Sequence, residues 1–247
     1  MRIGSTNVEM EQVIDQVEIR EGILRVRERI AVAARKAGRQ AEEITLIGIS
    51  KMQPAEAIRA AYEAGLRHFG ENRVQEREGK RSALGDLEAT WHLVGHLQSN
   101  KAARAAGLFH SVDSLDDFVL AQRLDRARVG QNAERKLRVL LEVRVEKEES
   151  KSGVKVEEAA ELAGMVAPLA HLEFAGLMCI PPFLDDAEKV RPYFRRLREL
   201  RDSLARKIGR GLPVLSMGMS HDFEAAIEEG ATEVRVGTAI FGSRTAE

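Results

Sequence analysis

From residue 44 onward, short apolar runs alternate eight times with segments of helical period, and this alternation leaves few architectures open. The runs fall at 44–50, 66–70, 90–95, 108–112, 137–145, 172–178, 214–217 and 233–236. Helical period fills 54–64, 116–128, 156–166, 187–208 and 222–229, with Pro54 suited to a first helical turn. Parallel strands need a crossover between neighbours, so strand and helix in turn imply a parallel sheet. Eight such units in about 200 residues match a closed barrel better than an open sheet. Roughly the first 40 residues read as one long helix ended near Gly38, with Val13, Ile14, Val17, Ile23, Leu24, Val26 and Ile30 at near-helical spacing. The polar runs 79–86 and 146–155 read as loops. The expected fold is α/β, a single (β/α)8 TIM-type barrel with an extra N-terminal helix. No shift in composition divides it, so 1–247 is expected to be one domain.

Charge limits what such a barrel binds. Lys plus Arg number 38 against 39 Asp plus Glu, so the chain is not built to coat nucleic acid or an anionic membrane. Neither is expected as a partner, and any anion site must be local. The single cysteine, Cys179, lies in the apolar run Gly176-Leu177-Met178-Cys179-Ile180 and reads as a buried, inert thiol in a reducing compartment. No segment approaches the ~20 apolar residues that span a bilayer, and no apolar signal core follows Met1. A cytoplasmic location is expected.

Active sites of these barrels sit where the strands end and the βα loops begin. The first run ends at Lys51, whose amine would face the mouth of the barrel. There, desolvation and nearby positive charge would make it nucleophilic toward an aldehyde. Taken alone, Lys51 reads more readily as a surface lysine. His92 and His96 are four apart, which on a strand separates them by about 13 Å. With no cluster of Cys or Asp nearby in sequence, no metal site is expected. Gln98, Ser99 and Asn100 suit the cap of the following helix.

The last two strands carry more. Ser216-Met217-Gly218-Met219-Ser220 precedes a helix, and Gly237-Thr238 follows the eighth strand. Small and hydroxyl residues at helix starts attract anions, and phosphate sites in such barrels are frequently built from these two loops. A phosphate cradle opposite a lysine is what a phosphorylated aldehyde cofactor requires. Arg235, placed against a pyridine nitrogen, would keep that nitrogen unprotonated; its alternative role is an ion pair with Glu233 or a helix carboxylate.

At these residues the chain resembles the pyridoxal phosphate (PLP) homeostasis protein family, whose barrel is similar to the N-terminal domain of alanine racemase. The matching stretches include Ile49-Ser50-Lys51, Phe69-Gly70-Glu71-Asn72, Trp91-His92, Leu97-Gln98-Ser99-Asn100-Lys101, Ser150-Lys151-Ser152-Gly153, Ser216 to Ser220 and Val234 to Gly242. The resemblance implies a Schiff base between Lys51 and PLP. It further implies that Ser216, Gly218, Met219, Ser220, Gly237 and Thr238 surround the phosphate, that Arg235 faces the pyridine nitrogen and that Asn72 lies near the ring. Arg73 and Arg144 depart from the pattern, where Tyr and Asn are usual, and His96 stands where Pro is also common. The implied function is a non-catalytic protein that buffers or delivers PLP, with PLP-accepting apoenzymes as partners and a monomer or weak homodimer as its state. The alternative is a PLP-dependent amino-acid racemase. That reaction needs a second base, a tyrosine from a further domain, and the only two tyrosines, Tyr62 and Tyr193, fall in predicted helices. A third reading, a cradle for some other phosphorylated metabolite, leaves Lys51 unexplained.

Overall fold

The computed structural model of the chain describes residues 16–131, 135–146 and 152–242. Its strands are β1 (Thr45–Ile49), β2 (His68–Glu71), β3 (Thr90–Leu93), β4 (Ser111–Leu115), β5 (Leu137–Arg144), β6 (Val154–Lys155), β7 (Leu172–Met178), β8 (Val214–Ser216) and β9 (Glu233–Val236). All pairings are parallel, and β1 pairs with both β2 and β9, so eight strands close in the order β1-β2-β3-β4-β5-β7-β8-β9. The two-residue β6 lies beside β5 outside that ring. The helices are α1 (Gln16–Lys36), α2 (Ala55–Glu63), α3 (Val74–Lys80), α4 (Ala102–Leu108), α5 (Phe118–Gly130), α6 (Ala159–Val166), α7 (Arg191–Ile208), α8 (Phe223–Glu228) and α9 (Thr238–Phe241). The expected barrel with its N-terminal helix is therefore the observed one, and Val13 and Ile14 lie outside the described residues.

Helix α1 buries Ile19, Ile23, Val26, Ile30 and Ala33, one stripe at helical spacing. The stripe packs against α2, α8 and α9, so α1 fills the outer ring beside β9 and β1. A fully buried aliphatic side chain contributes roughly 1.5–3 kcal/mol. The closest approach is at Gly22, where an added Cβ would stand 2.8 Å from the Ala239 carbonyl and 3.0 Å from that of Ile240. Gly22→Val is therefore expected to destabilise the protein by roughly 1–3 kcal/mol through overpacking. Urea unfolding checks this, and an unchanged midpoint would mean α1 packs more loosely than described.

Several sequence expectations need correction. The fourth strand is not 108–112: α4 runs to Leu108, and the strand begins at Ser111. Its inward residues Ser111 and Asp113 are buried polar groups, so an apolar run marked the helix end instead of the strand. The run 79–86 is not all loop, because α3 extends to Lys80. Pro54 precedes the first turn of α2 with an extended ψ of 161° and occupies the cap position. Gln98 makes no side-chain cap and leads into a 3-10 turn, Ser99–Lys101. Within 146–155, β6 replaces part of the loop, and 147–151 lie outside the described residues.

The interior layer at the N-terminal strand ends is ionic. His92, Asp113 and Glu233, distant in sequence, are brought together in space, so the absence of acidic residues beside His92 in sequence does not describe its surroundings in the fold. Their centre is taken by a guanidinium. Arg138 Nη1 lies 2.7 Å from Glu233 Oε1, its Nε donates to Ser111 Oγ at 2.9 Å, and Nη2 is 3.1 Å from His92 Nδ1. His92 Nδ1 also lies 3.1 Å from Asp113 Oδ2, and Ser111 Oγ donates to Asp113. Burial works to raise the Asp113 pKa, but His92, Arg138 and Ser111 hold it below the ordinary value. Truncating one member of such a network leaves an uncompensated buried charge, whereas the intact set is compensated. His96 does not continue this face: β3 ends at Leu93, and His96 sits 3.4 Å from Asp116.

Candidate functional site at the C-terminal strand ends

The chain leaves β1 through a turn held from three sides. Ser50 N–H donates to the Gly70 carbonyl at 2.9 Å, and Ser50 Oγ donates to Glu71 Oε1 at 2.8 Å. Lys80 Nζ donates both to the Ser50 carbonyl (2.9 Å) and to Glu71 Oε1 (2.8 Å). Gln53 N–H closes the turn on the Ser50 carbonyl at 3.1 Å. Between these anchors stands Lys51, half-buried. Met52 follows in the left-handed region with φ 60°, a conformation that is strained for a side chain of this size and characteristic of functional turns. Burial pushes the Glu71 carboxyl up to about 7, helped by its neighbour Glu76 and opposed by Lys80 and Ser50.

On one side of Lys51, Asn72 follows β2. A Cβ at Gly95 would come within 2.4 Å of the Asn72 carbonyl, so glycine there allows the two loops to nest. On the other side lies β9, whose Arg235 pairs in register with Ile47. Gly237 thereby comes to lie beside Ile49, from whose atoms a Cβ added at 237 would stand 3.5 Å. Thr238 and Ala239 then open α9, whose Ile240 and Phe241 N–H groups both donate to the Gly237 carbonyl at 2.9 Å.

Strand β8 adds the next loop. Ser216 is buried, and its Oγ accepts from Arg235 Nη1 at 2.8 Å, while Arg235 Nη2 donates to the Cys179 carbonyl at 2.8 Å. Arg235 is thus a buried guanidinium held by neutral oxygens. Glu233, the carboxylate considered for it, is bound instead by Arg138 at 2.7 Å. Gly218 has φ +93°, and its carbonyl accepts from Arg235 N–H at 3.0 Å. Met219 N–H donates to Asp222 Oδ1 at 2.6 Å, and the Phe223 N–H returns to the Met219 carbonyl at 3.0 Å, which closes the loop around Ser220. Burial pushes the Cys179 thiol up to about 12, as befits an inert core sulfur.

The consecutive strand ends β2, β1, β9 and β8 therefore carry Asn72, Lys51, Gly237-Thr238 and Ser216–Ser220 side by side, with Arg235 beneath them. Sequence reading missed Glu142. It lies on β5, buried, with Oε2 lacking a hydrogen-bond partner among the described residues. Burial pushes it up to about 7, Asp116 acts in the same direction and Arg235 opposes. The available signal was an acidic residue interrupting the apolar run Val139-Leu140-Leu141, two before the unusual Arg144. Arg144 Nη2 donates to the Gly153 carbonyl at 3.1 Å, and Gly153 has φ +108°. Arg73 is exposed at the start of α3, and Ser150 and Lys151 lie outside the described residues.

No helix among the described residues is long and apolar enough to cross a membrane. Residues 25–245 match the model of the alanine racemase N-terminal domain family. A pyridoxal phosphate homeostasis protein of Aquifex aeolicus is 49% identical over 224 residues, covering 91% of this chain and 97% of that one. One from Pseudomonas aeruginosa is 46% identical over 226 residues, covering 92% and 96%. Among solved structures, PipY of Synechococcus elongatus with PLP bound superposes with a TM-score of 0.81 at 37% identity, covering 91% of this chain and all of that one. An alanine racemase of Corynebacterium glutamicum, 20% identical with a TM-score of 0.68, shares the fold over 94% of this chain and 62% of its own. The chain belongs to the alanine racemase N-terminal domain family and, within it, to the pyridoxal phosphate homeostasis proteins.

Proposed function

We propose that this protein binds pyridoxal 5′-phosphate as a Schiff base on Lys51 and buffers or delivers it without catalysing a committed reaction of its own. The observation that carries the reading is the anchored turn that presents Lys51 between Asn72 and the Gly237-Thr238 loop. The donor set fits the cofactor. An amine meets an aldehyde, and Ser216, Gly218, Ser220, Gly237 and Thr238 offer hydroxyls and amides to a phosphate dianion, while the Met219 N–H, given to Asp222, holds the shape of the loop. Arg235, a fixed cation, suits an unprotonated pyridine nitrogen. When bound, PLP supplies an aldehyde that condenses with Lys51 Nζ with loss of one water. The protein's part is to hold the turn that carries Lys51 through the Lys80–Ser50–Glu71 strut and to fix the phosphate. Its partners on this reading are PLP and PLP-accepting apoenzymes, in the cytoplasm, with residues 1–247 as one domain in a monomer or weak homodimer.

Support for a carrier over a racemase comes from the tyrosines. Tyr62 lies in α2 under the Arg67 guanidinium, 4.1 Å from its carbon, and Tyr193 lies in α7. Neither stands at a strand end to act as a second base. The test is the absorption spectrum of purified protein with PLP, before and after borohydride. An imine band near ~420 nm is expected, bleached by borohydride as the cofactor is left on Lys51 as a secondary amine and absent from Lys51→Ala. Absence of the band in the parent protein, or its persistence in Lys51→Ala, overturns the assignment; rapid racemisation of an amino acid overturns the carrier role alone.

A further inference from the structure

A second site of different character lies at the opposite, N-terminal face of the barrel. There, the segments leading into β3, β4 and β5 and the helix α3 enclose a cavity of about 390 Å³, lined by Arg77, Trp91, His110 and Arg135 among others. Ligand sites commonly occupy roughly 300–1,000 Å³, so a small metabolite fits.

Its wall is cationic and built. Arg77 is 8% exposed, and its guanidinium carbon lies 4.1 Å from the centroid of the Trp91 ring. That ring also stacks on Phe69, with centroids 5.4 Å apart, so the platform under the guanidinium is held in place. Arg77 Nε and Nη1 are buried without a hydrogen-bond partner among the described residues. A buried guanidinium normally finds acceptors for its fork, and stacking on an aromatic face satisfies none of these N–H groups. His110 Nδ1 accepts the Trp91 N–H at 3.0 Å, which leaves Nε2 as the protonated nitrogen of the neutral ring and a donor. Arg135 adds a second guanidinium from the exposed rim, against one exposed carboxylate, Glu88.

We propose that this cavity is an anion site, separate from the one at Lys51, that takes a small metabolite bearing a phosphate. A planar guanidinium matches two phosphate oxygens at once, and Arg77, oriented on Trp91, shares the lining of this cavity with Arg135, so that two guanidinium groups serve one dianion. The site needs no PLP, so it stands or falls independently of the cofactor assignment.

Trp91 is the chain's only tryptophan, so its fluorescence reports on this cavity directly. Inorganic phosphate titrated at constant ionic strength, with chloride as the balancing salt, is the probe. The expected result is a saturable change in tryptophan emission, with the midpoint raised at least tenfold in Arg77→Met, which retains a side chain over Trp91. Arg135→Ala, a rim substitution with no part in the packed core, is expected to raise it severalfold. Should Arg77→Met lose its native circular dichroism, Arg135→Ala decides the matter. No saturable change in the parent protein, or an unaltered midpoint in Arg135→Ala and in a folded Arg77→Met, overturns the proposal.

Discussion

Gly218→Ala is expected to cost roughly 3–5 kcal/mol of stability, combining a left-handed backbone with overpacking, and to abolish the imine band of the PLP-loaded protein. Its φ of +93° is a conformation L side chains rarely adopt. The added Cβ would stand 2.6 Å from the Ala226 Cβ and 2.8 Å from the Phe223 Cα. Backbone has no rotamer into which it can retreat, so either the loop or α8 must move. Movement of the loop also breaks the bond from the Arg235 N–H to the Gly218 carbonyl, and with it the register between the cradle and β9. Thermal unfolding should report a fall on the order of 10 °C.

Gly237→Ala is the informative contrast. Its φ is −113°, and an added Cβ would meet only Ile49 atoms at 3.5 Å, an ordinary contact. The fold itself therefore makes little demand for glycine at 237, and stability should change by less than about 1 kcal/mol. If the phosphate approaches the backbone at this turn, PLP affinity should still fall at least tenfold. A Gly237→Ala protein that binds PLP like its parent would remove this loop from the cradle while leaving the role of Gly218 untouched.

The parts of this molecule visible in its sequence are those governed by local rules. Barrel order follows from alternation, because a parallel sheet admits no other connection, and Lys51 stands out because a strand of period two ends just before it. The cradle is visible because a turn with positive φ needs Gly218 and a helix start favours hydroxyls. What stayed hidden depends on distant partners. Arg138 and Glu233 are 95 positions apart by their numbering yet meet at 2.7 Å, and nothing near either residue announces the other. The fourth strand was misplaced for a related reason: its inward face is Ser111 and Asp113, tolerable inside a barrel only because His92 and Arg138 arrive from neighbouring strands. Lys80 falls in a polar run whose composition suits a loop, and its grip on the carbonyl before Lys51 depends on α3 folding back over β1.

Glu142→Gln is expected to stabilise the protein by roughly 2–3 kcal/mol at pH 8 and to leave stability near pH 4 almost unchanged. The folded-state value of about 7 lies above the ordinary 4.5, because burial and Asp116 disfavour the carboxylate more than Arg235 favours it. Between those two values the folded chain binds more protons than the unfolded chain, so this group's contribution falls as pH rises through 7 and is present in full below 4.5. Glutamine keeps the shape without the charge and removes that slope, although Glu71, also near 7, preserves a similar one of its own. Urea titrations of both proteins at pH 4.5 and pH 8 separate the cases. An equal gain at both pH values would mean that burial does not shift the Glu142 carboxyl, and a loss at pH 8 would mean that Glu142 is stabilised as an anion by Arg235. A buried acid that weakens the fold at neutral pH, has an oxygen without a partner among the described residues and lies in the field of Arg235 is poorly explained by packing. Residues that break the rules of folding in this way concentrate where a ligand sets the requirement. Glu142→Gln should therefore also shift the pH dependence of the imine band, a readout that a purely structural carboxyl would leave in place.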